Sequence, residues 1–180
     1  GELALVSEEN RNATIRVASE TAKVIQLKRE RFAEKTSTNP GFMFSILKSI
    51  IVRLYRAETR LFHEVNFYPS LPSNQKAKAD ATRIKLLEAA QKIKGQESLY
   101  MNFLEKVYSQ EDFSNIYCYI LMEGEIKLTA KKDYRDIILT TLYPGNILSE
   151  VSLIGRFPLL HTATVQSERV ELLPISREDF

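Results

Sequence analysis

The period of apolar and polar positions changes twice along the chain. Thr14 to Ala18 and Ala22 to Leu27 cluster β-branched and apolar residues around Ser19-Glu20-Thr21, which predicts two strands joined by a short turn. Lys28 to Lys35 reads as one helical segment. Ser37-Thr38-Asn39-Pro40 then supplies a cap with proline at the first helical position. Met43, Leu47, Ile50, Leu54 and Leu61 mark an amphipathic stripe, so a long helix is expected to run to about Val65. Asn66 to Asn74 carries two prolines and two serines and is the best linker candidate, followed by a second helical stretch from Ala77 to Lys94 with Ile84, Leu87 and Ile93. From about Asn102 the period becomes that of strands. Phe103 to Tyr108, Ile116 to Met122, Glu125 to Ala130, Asp136 to Leu142 and Thr162 to Ser167 are separated by Ser-Gln-Glu-Asp, Glu-Gly, Lys-Lys-Asp and Pro-Gly punctuation. Such spacing predicts an antiparallel roll or barrel, and with the helices an α+β, jelly-roll-like fold.

An internal repeat organises these elements. Ser19-Glu20 and Lys28-Arg29-Glu30-Arg31-Phe32 are echoed by Ser167-Glu168 and Ser176-Arg177-Glu178-Asp179-Phe180 at a constant offset of 148. At the same offset Gly1-Glu2-Leu3-Ala4-Leu5 falls on Ser149-Glu150-Val151-Ser152-Leu153, while Ala13-Thr14 matches Ala163-Thr164 at offset 150. The expected organisation is the back half of a first domain over residues 1–65, a linker and connecting helix over 66–96, and the front of a second domain over 97–180. Gly1 opens without a start or capping signal and Ser176-Arg177-Glu178-Asp179 should open a helix just as the sequence stops. The chain is therefore expected to be an excerpt from a longer protein.

Composition narrows the chemistry. With 25 basic and 23 acidic side chains the net charge is +2, so any electrostatic site must be local. The single cysteine, Cys118, sits in an apolar strand pattern and is expected to be a buried small hydrophobe, and its solitary state fits a reducing, cytoplasmic setting. His63 and His161 are the only histidines, which leaves little for a metal site, and no nucleophile motif surrounds His161. Tyr117 and Tyr119 alternate about Cys118 and are expected to pack. The longest charge-free stretch, Ile137 to Ser149, has 13 residues, well short of a membrane-spanning helix. The stretch from Gln75 to Lys94 is net basic through Lys76, Lys78, Arg83, Lys85, Lys92 and Lys94 against Asp80 and Glu88, and reads as the solvated face of a connecting helix.

The first loop carries a set of parts suited to a sugar phosphate. Glu2 can accept hydrogen bonds from a ribose hydroxyl, Arg11 offers a planar fork of donors to phosphate, and Leu3 to Ser7 can make a helical turn with free backbone N–H groups. Read from the residues alone, Glu2 and Arg11 can equally form a solvated surface pair. Gly1-Glu2-Leu3-Ala4-Leu5 followed by Arg11-Asn12-Ala13-Thr14 resembles the phosphate-binding cassette of cyclic nucleotide-binding domains, found in the regulatory subunit of cyclic-AMP-dependent protein kinase and in catabolite-activator-like regulators. Tyr117 to Leu128, with Glu123-Gly124 at its centre, resembles the family's strand, glycine turn and strand, and Leu142-Tyr143-Pro144-Gly145-Asn146 its entry to the cassette.

The resemblance implies that Glu2 binds the ribose and Arg11 the cyclic phosphate of cyclic AMP or cyclic GMP, with Gly1, Leu3, Ala4, Asn12, Ala13 and Thr14 completing the first cassette. In the second, Glu150 keeps the ribose position and Thr162-Ala163-Thr164 the end of the loop. Ser149 stands where Gly1 stands in the first, His161 occupies the arginine position, and Leu159-Leu160 lengthen the loop. A neutral imidazole cannot replace a permanent bidentate cation, so this second cassette is expected to be degenerate unless Arg156 swings in. The resemblance implies a non-enzymatic sensor without a metal, signalling allosterically through its C-terminal helices to an effector outside the chain. The stripe of helix 40–65 can pack on its own roll, close over a bound ligand or pair with a partner helix, and the resemblance supports all three; intramolecular packing, with a possible homodimer contact, is favoured. The alternatives are a ligand-independent interaction module, or the sensor part of a transcription regulator if a helix-turn-helix follows residue 180; only then is nucleic acid an expected partner. Membrane insertion is not expected.

Overall fold

The computed structural model describes residues 10, 14–64, 73–93, 95–114, 116–132 and 135–179. The chain divides into two compact units, residues 1–54 and 55–180. In the first, helix α1 (Arg29–Thr38) is followed by α2 (Pro40–Glu64), which continues into the second unit. The expected cap is present: the Asn39 side-chain oxygen accepts from the Phe42 N–H at 2.9 Å, and Pro40 takes the first helical position, where its missing N–H costs nothing. Phe32 is buried and meets the Phe42 ring edge-on at 6.1 Å, which fixes the α1–α2 corner.

The two strands expected over residues 14–18 and 22–27 do not form. This stretch is irregular, and Ile15, Val17, Val24 and Ile25 are exposed. Two short strands gain stability only against a further strand or a facing layer, and none of the described residues supplies one to this segment.

The second unit holds the rest of α2, helix α3 (Ser73–Ala90) and a roll of eight strands: β1 (Leu99–Asn102), β2 (Lys106–Tyr108), β3 (Tyr117–Glu123), β4 (Ile126–Lys132), β5 (Arg135–Leu142), β6 (Ile147–Leu148), β7 (Thr162–Val165) and β8 (Arg169–Ser176). A short helix, α4 (Glu150–Gly155), lies between β6 and β7. The strands form two antiparallel sheets in the orders β1-β8-β3-β6 and β2-β7-β4-β5. Tyr119, Leu121, Ile126, Leu128, Ala163, Val165, Val170 and Leu172 belong to one buried cluster with Tyr108 and Leu148. Alternate residues of β3 and β8, Ile120 and Leu173, instead pack with Ala90 of α3. Burial on both faces is why Cys118 to Leu121 reads as an unbroken apolar run rather than an alternating one.

The structure redraws some boundaries. Phe103 to Tyr108 is not one strand: β1 ends at Asn102, a turn with Leu104 at φ 67° follows, and β2 begins at Lys106. Strand β8 contains Pro174, which argues against a strand in the sequence. It is accommodated because β1 ends at the Leu99–Leu172 pair, so at Pro174 strand β8 has only β3 beside it. The helix expected to open at Ser176 is a turn: the Asp179 carboxylate accepts from the Ser176 hydroxyl at 2.5 Å and from the Gln96 amide at 3.0 Å.

Two turns need glycine. Gly124, between β3 and β4, has φ +88°, and a Cβ there would run into the Arg169 carbonyl oxygen and the Ser167 hydroxyl. Gly145, at φ +85°, lies against the backbone of Arg83 and so admits α3 beside the β5–β6 turn. Gly95 has φ +86° but open space around its Cβ position. Gly124→Ala is therefore expected to lower stability by roughly 2 kcal/mol or more, and Gly95→Ala by about 1 kcal/mol, since only the first adds a clash to the left-handed backbone. Urea unfolding of the two variants checks this, and equal losses would contradict the packing at Gly124.

Candidate functional site

Strand β6 leads directly into Ser149 and α4. Ser149 adopts the left-handed conformation (φ 61°) at a position where the first cassette has glycine. Its hydroxyl donates to the Tyr117 carbonyl at 2.8 Å, a tie to β3 that offsets part of the conformational cost, about 1 kcal/mol. Further on, Leu159 is buried, and Gln110 N–H donates to the Thr162 hydroxyl at 2.9 Å. Ala163 is fully buried in β7, paired with Tyr108 and Leu128. The loop is thus anchored at both ends.

Between these anchors lies a cavity of about 220 Å³. Glu150 and His161, the two expected cassette residues, both line it, together with Tyr55 and Glu58 of α2, Tyr108 of β2 and an apolar wall that includes Leu128, Leu142 and Leu148. Thr162 and Ala163 belong to β7 next to it and do not line it. Among the described residues no lysine or arginine lines the cavity.

The titratable groups explain what this lining can hold. Burial holds the His161 imidazole down at about 4, so it is neutral at pH 7. Burial, and secondarily the charge of Glu150, pushes the Tyr108 phenol well above its ordinary value, so it keeps its proton. The Tyr108 hydroxyl and His161 Nε2 are 3.0 Å apart; the hydroxyl therefore donates, Nε2 accepts, and the ring proton is assigned to Nδ1. Glu150 is raised by burial and, in smaller measure, by the charge of Glu58, against its own backbone N–H, which lowers it; Glu58 is itself raised by burial. Two carboxyl groups raised by burial and a neutral imidazole thus give a lining that offers an anion no positive charge among the described residues.

Arg156 does not fill the gap. It caps α4 in the left-handed conformation and lines a different cavity, with Phe113, Leu153 and Arg177. Glu58, Tyr55 and Tyr108 were not singled out in the sequence. Glu58 and Tyr55 come from a helix whose local pattern marks only its apolar stripe, and Tyr108 looks like any strand aromatic. Gly1, Glu2, Leu3, Ala4, Arg11, Asn12 and Ala13 lie outside the described residues; Thr14 is exposed and in no regular element. Cys118 is fully buried, and burial pushes its thiol up to about 12, as a structural rather than reactive cysteine requires. No group of metal-ligating side chains occurs among the described residues, and no described helix is long and apolar enough to cross a membrane.

The buried imidazole links stability to pH. An unfolded histidine takes up its proton near 6.5 and the folded one only near 4, so stability falls as pH drops through that window. Glu58 and Glu150, raised in the folded state, act in the opposite sense: their contribution is full at low pH and is lost as pH rises through their raised values. Lowering the pH from 7 to 4.5 is expected to lower the urea midpoint of the parent relative to that of His161→Gln, since only the parent carries the buried imidazole. Equal changes in the two proteins would contradict a neutral, buried His161.

The family model described as the cyclic nucleotide-binding domain matches residues 105–180. No curated protein matches the chain. Among solved structures it is similar to the cGMP-bound EAL enzyme Bd1971, with 24% identity over 46% of this chain and 22% of that one and a TM-score of 0.43. It thus spans about a fifth of that enzyme. It is also similar to the N-terminal domain of a transcriptional regulator from Streptomyces coelicolor A3(2), with 22% identity over 62% of this chain and 69% of that one and a TM-score of 0.44. A third is the regulatory domain of Toxoplasma gondii PKA with cAMP, with 16% identity over 62% of this chain and 45% of that one and a TM-score of 0.46. What identifies a cyclic nucleotide-binding domain is the family match, and it covers residues 105–180.

Proposed function

We propose that the chain is a non-catalytic cyclic nucleotide sensor in which capture belongs to the first cassette, while the domain over residues 105–180 keeps the fold without the phosphate clamp. What supports this reading is the lining of the 220 Å³ cavity: Glu150 and neutral His161, to which the resemblance gives the ribose and phosphate positions, line it with Glu58, and no lysine or arginine among the described residues does. A cyclic phosphate entering it would be desolvated with no guanidinium among those residues to offset the cost.

In the first cassette Glu2 would take the ribose hydroxyls of cyclic AMP or cyclic GMP and Arg11 the phosphate. The output would be a population shift in the helices that follow. Helix α2, which comes after the first cassette, ends in the part of the chain that contributes Tyr55 and Glu58 to the second cavity, and Tyr55 stacks on Phe157 of the cassette loop at 4.1 Å. A shift of α2 would thus alter the second domain directly, and through it an effector elsewhere in the protein.

Thermal unfolding of the full-length protein with cyclic AMP or cyclic GMP tests this. At about 100 times the dissociation constant a ligand adds roughly 2.7 kcal/mol, a readily measured rise in Tm. The rise is expected to vanish in Arg11→Ala and to persist in His161→Ala. Loss in His161→Ala with retention in Arg11→Ala would reverse the assignment of the two cassettes, and no rise with either nucleotide would favour the ligand-independent interaction module.

A further inference from the structure

A second cavity of about 300 Å³ shares only Ser152 with the first and has the opposite character. It is lined by Phe113, Ile116, Leu153, Phe157, Arg156 and Arg177, with no carboxylate among the described residues that line it. Phe113 and Ile116 are 76% and 64% exposed, so the cleft presents apolar surface to water beside two permanent cations. Arg177 is set in place by a hydrogen bond from its guanidinium to the Leu153 carbonyl, and a guanidinium carries further N–H donors beyond that one.

Arg156 gives a separate indication. It follows α4 with φ 56°, donating its N–H to the Ser152 carbonyl in the position where helices favour glycine. An arginine there carries a conformational cost that glycine would remove, and what it adds is a guanidinium at the cleft. Opposite charge, apolar area and a strained backbone thus coincide at one place.

We propose that this cleft is a binding site for a small organic anion, with a phosphate or carboxylate head held by Arg156 and Arg177 and an apolar body, aromatic or branched, covering Phe113 and Ile116. The head suits guanidinium donors, which match either oxyanion, and the body removes the exposed apolar surface from water. The site is distinct from the cassette cavity and does not depend on the function proposed above.

Phenyl phosphate and hydrocinnamate serve as probes, with inorganic phosphate as head alone and phenol as body alone, titrated into the full chain by calorimetry. Phenyl phosphate or hydrocinnamate is expected to bind at least tenfold tighter than its separate parts, and the stronger of the two tells phosphate from carboxylate. Arg177→Ala and Arg156→Gly are each expected to weaken binding tenfold or more. Arg156→Gly also relieves the left-handed backbone, so its Tm should equal or exceed that of the parent, which separates lost binding from lost folding. Phe113→Ala should weaken phenyl phosphate while leaving inorganic phosphate unchanged. Absence of binding by either probe, or binding unaffected by Arg156→Gly and Arg177→Ala, would overturn the proposal.

Discussion

The hydrogen bond between Tyr108 and His161 sets the character of the whole site. Tyr108 is a member of the core between the two sheets, and His161 ends the cassette loop, so the bond fastens the end of the loop to the core. It also fixes the charge. A buried phenol that keeps its proton donates to Nε2, which favours a neutral ring over an imidazolium, and burial reinforces this by holding the imidazole down at about 4. Glu150 and Glu58 line the same cavity, where no lysine or arginine occurs among the described residues, and burial raises both carboxyls. The fold around this bond is that of a cyclic nucleotide-binding domain, and the reading proposed for it rests on this lining.

Arg156 caps α4 and Arg177 follows β8, and both line the second cavity rather than the first. Helix α4 therefore has two cavities of different chemistry associated with it, one lined by carboxyl groups with Ser149 to Ser152 and one by guanidiniums with Ser152 to Phe157. On the other side of the roll, α3 rests on Ile120 and Leu173 through Ala90, and the absence of a side chain at Gly145 lets the Arg83 backbone approach the turn that opens the cassette. The cassette is thus held by packing from its own sheet and from a helix that precedes it.

Much of the roll was legible in the sequence because its signals are local. The Asn39 cap, the Gly124 and Gly145 turns, the run Cys118 to Leu121 and the alternation in β4, β5 and β7 each follow from a few adjacent residues, and each is where the pattern places it. Strands β1 and β6 were missed because four and two residues carry too little period, and β8 because Pro174 masks a strand that has a neighbour on one side only at that point. The strands expected over residues 14–18 and 22–27 show the converse failure: β-branched residues state a preference, and pairing needs a partner that no described residue supplies to the segment. In the site, Glu150 and His161 were readable from the repeat. Glu58 was not, since a carboxylate on a helix reveals nothing of the cavity that tertiary packing brings to it.

The central claim is that the cassette of residues 105–180 does not hold a cyclic nucleotide. Calorimetric titration of the full-length protein with cyclic AMP, and again with cyclic GMP, tests it through the stoichiometry. The account predicts no more than one nucleotide per chain, with the same stoichiometry after His161→Ala. Two nucleotides per chain, falling to one after His161→Ala, would contradict it.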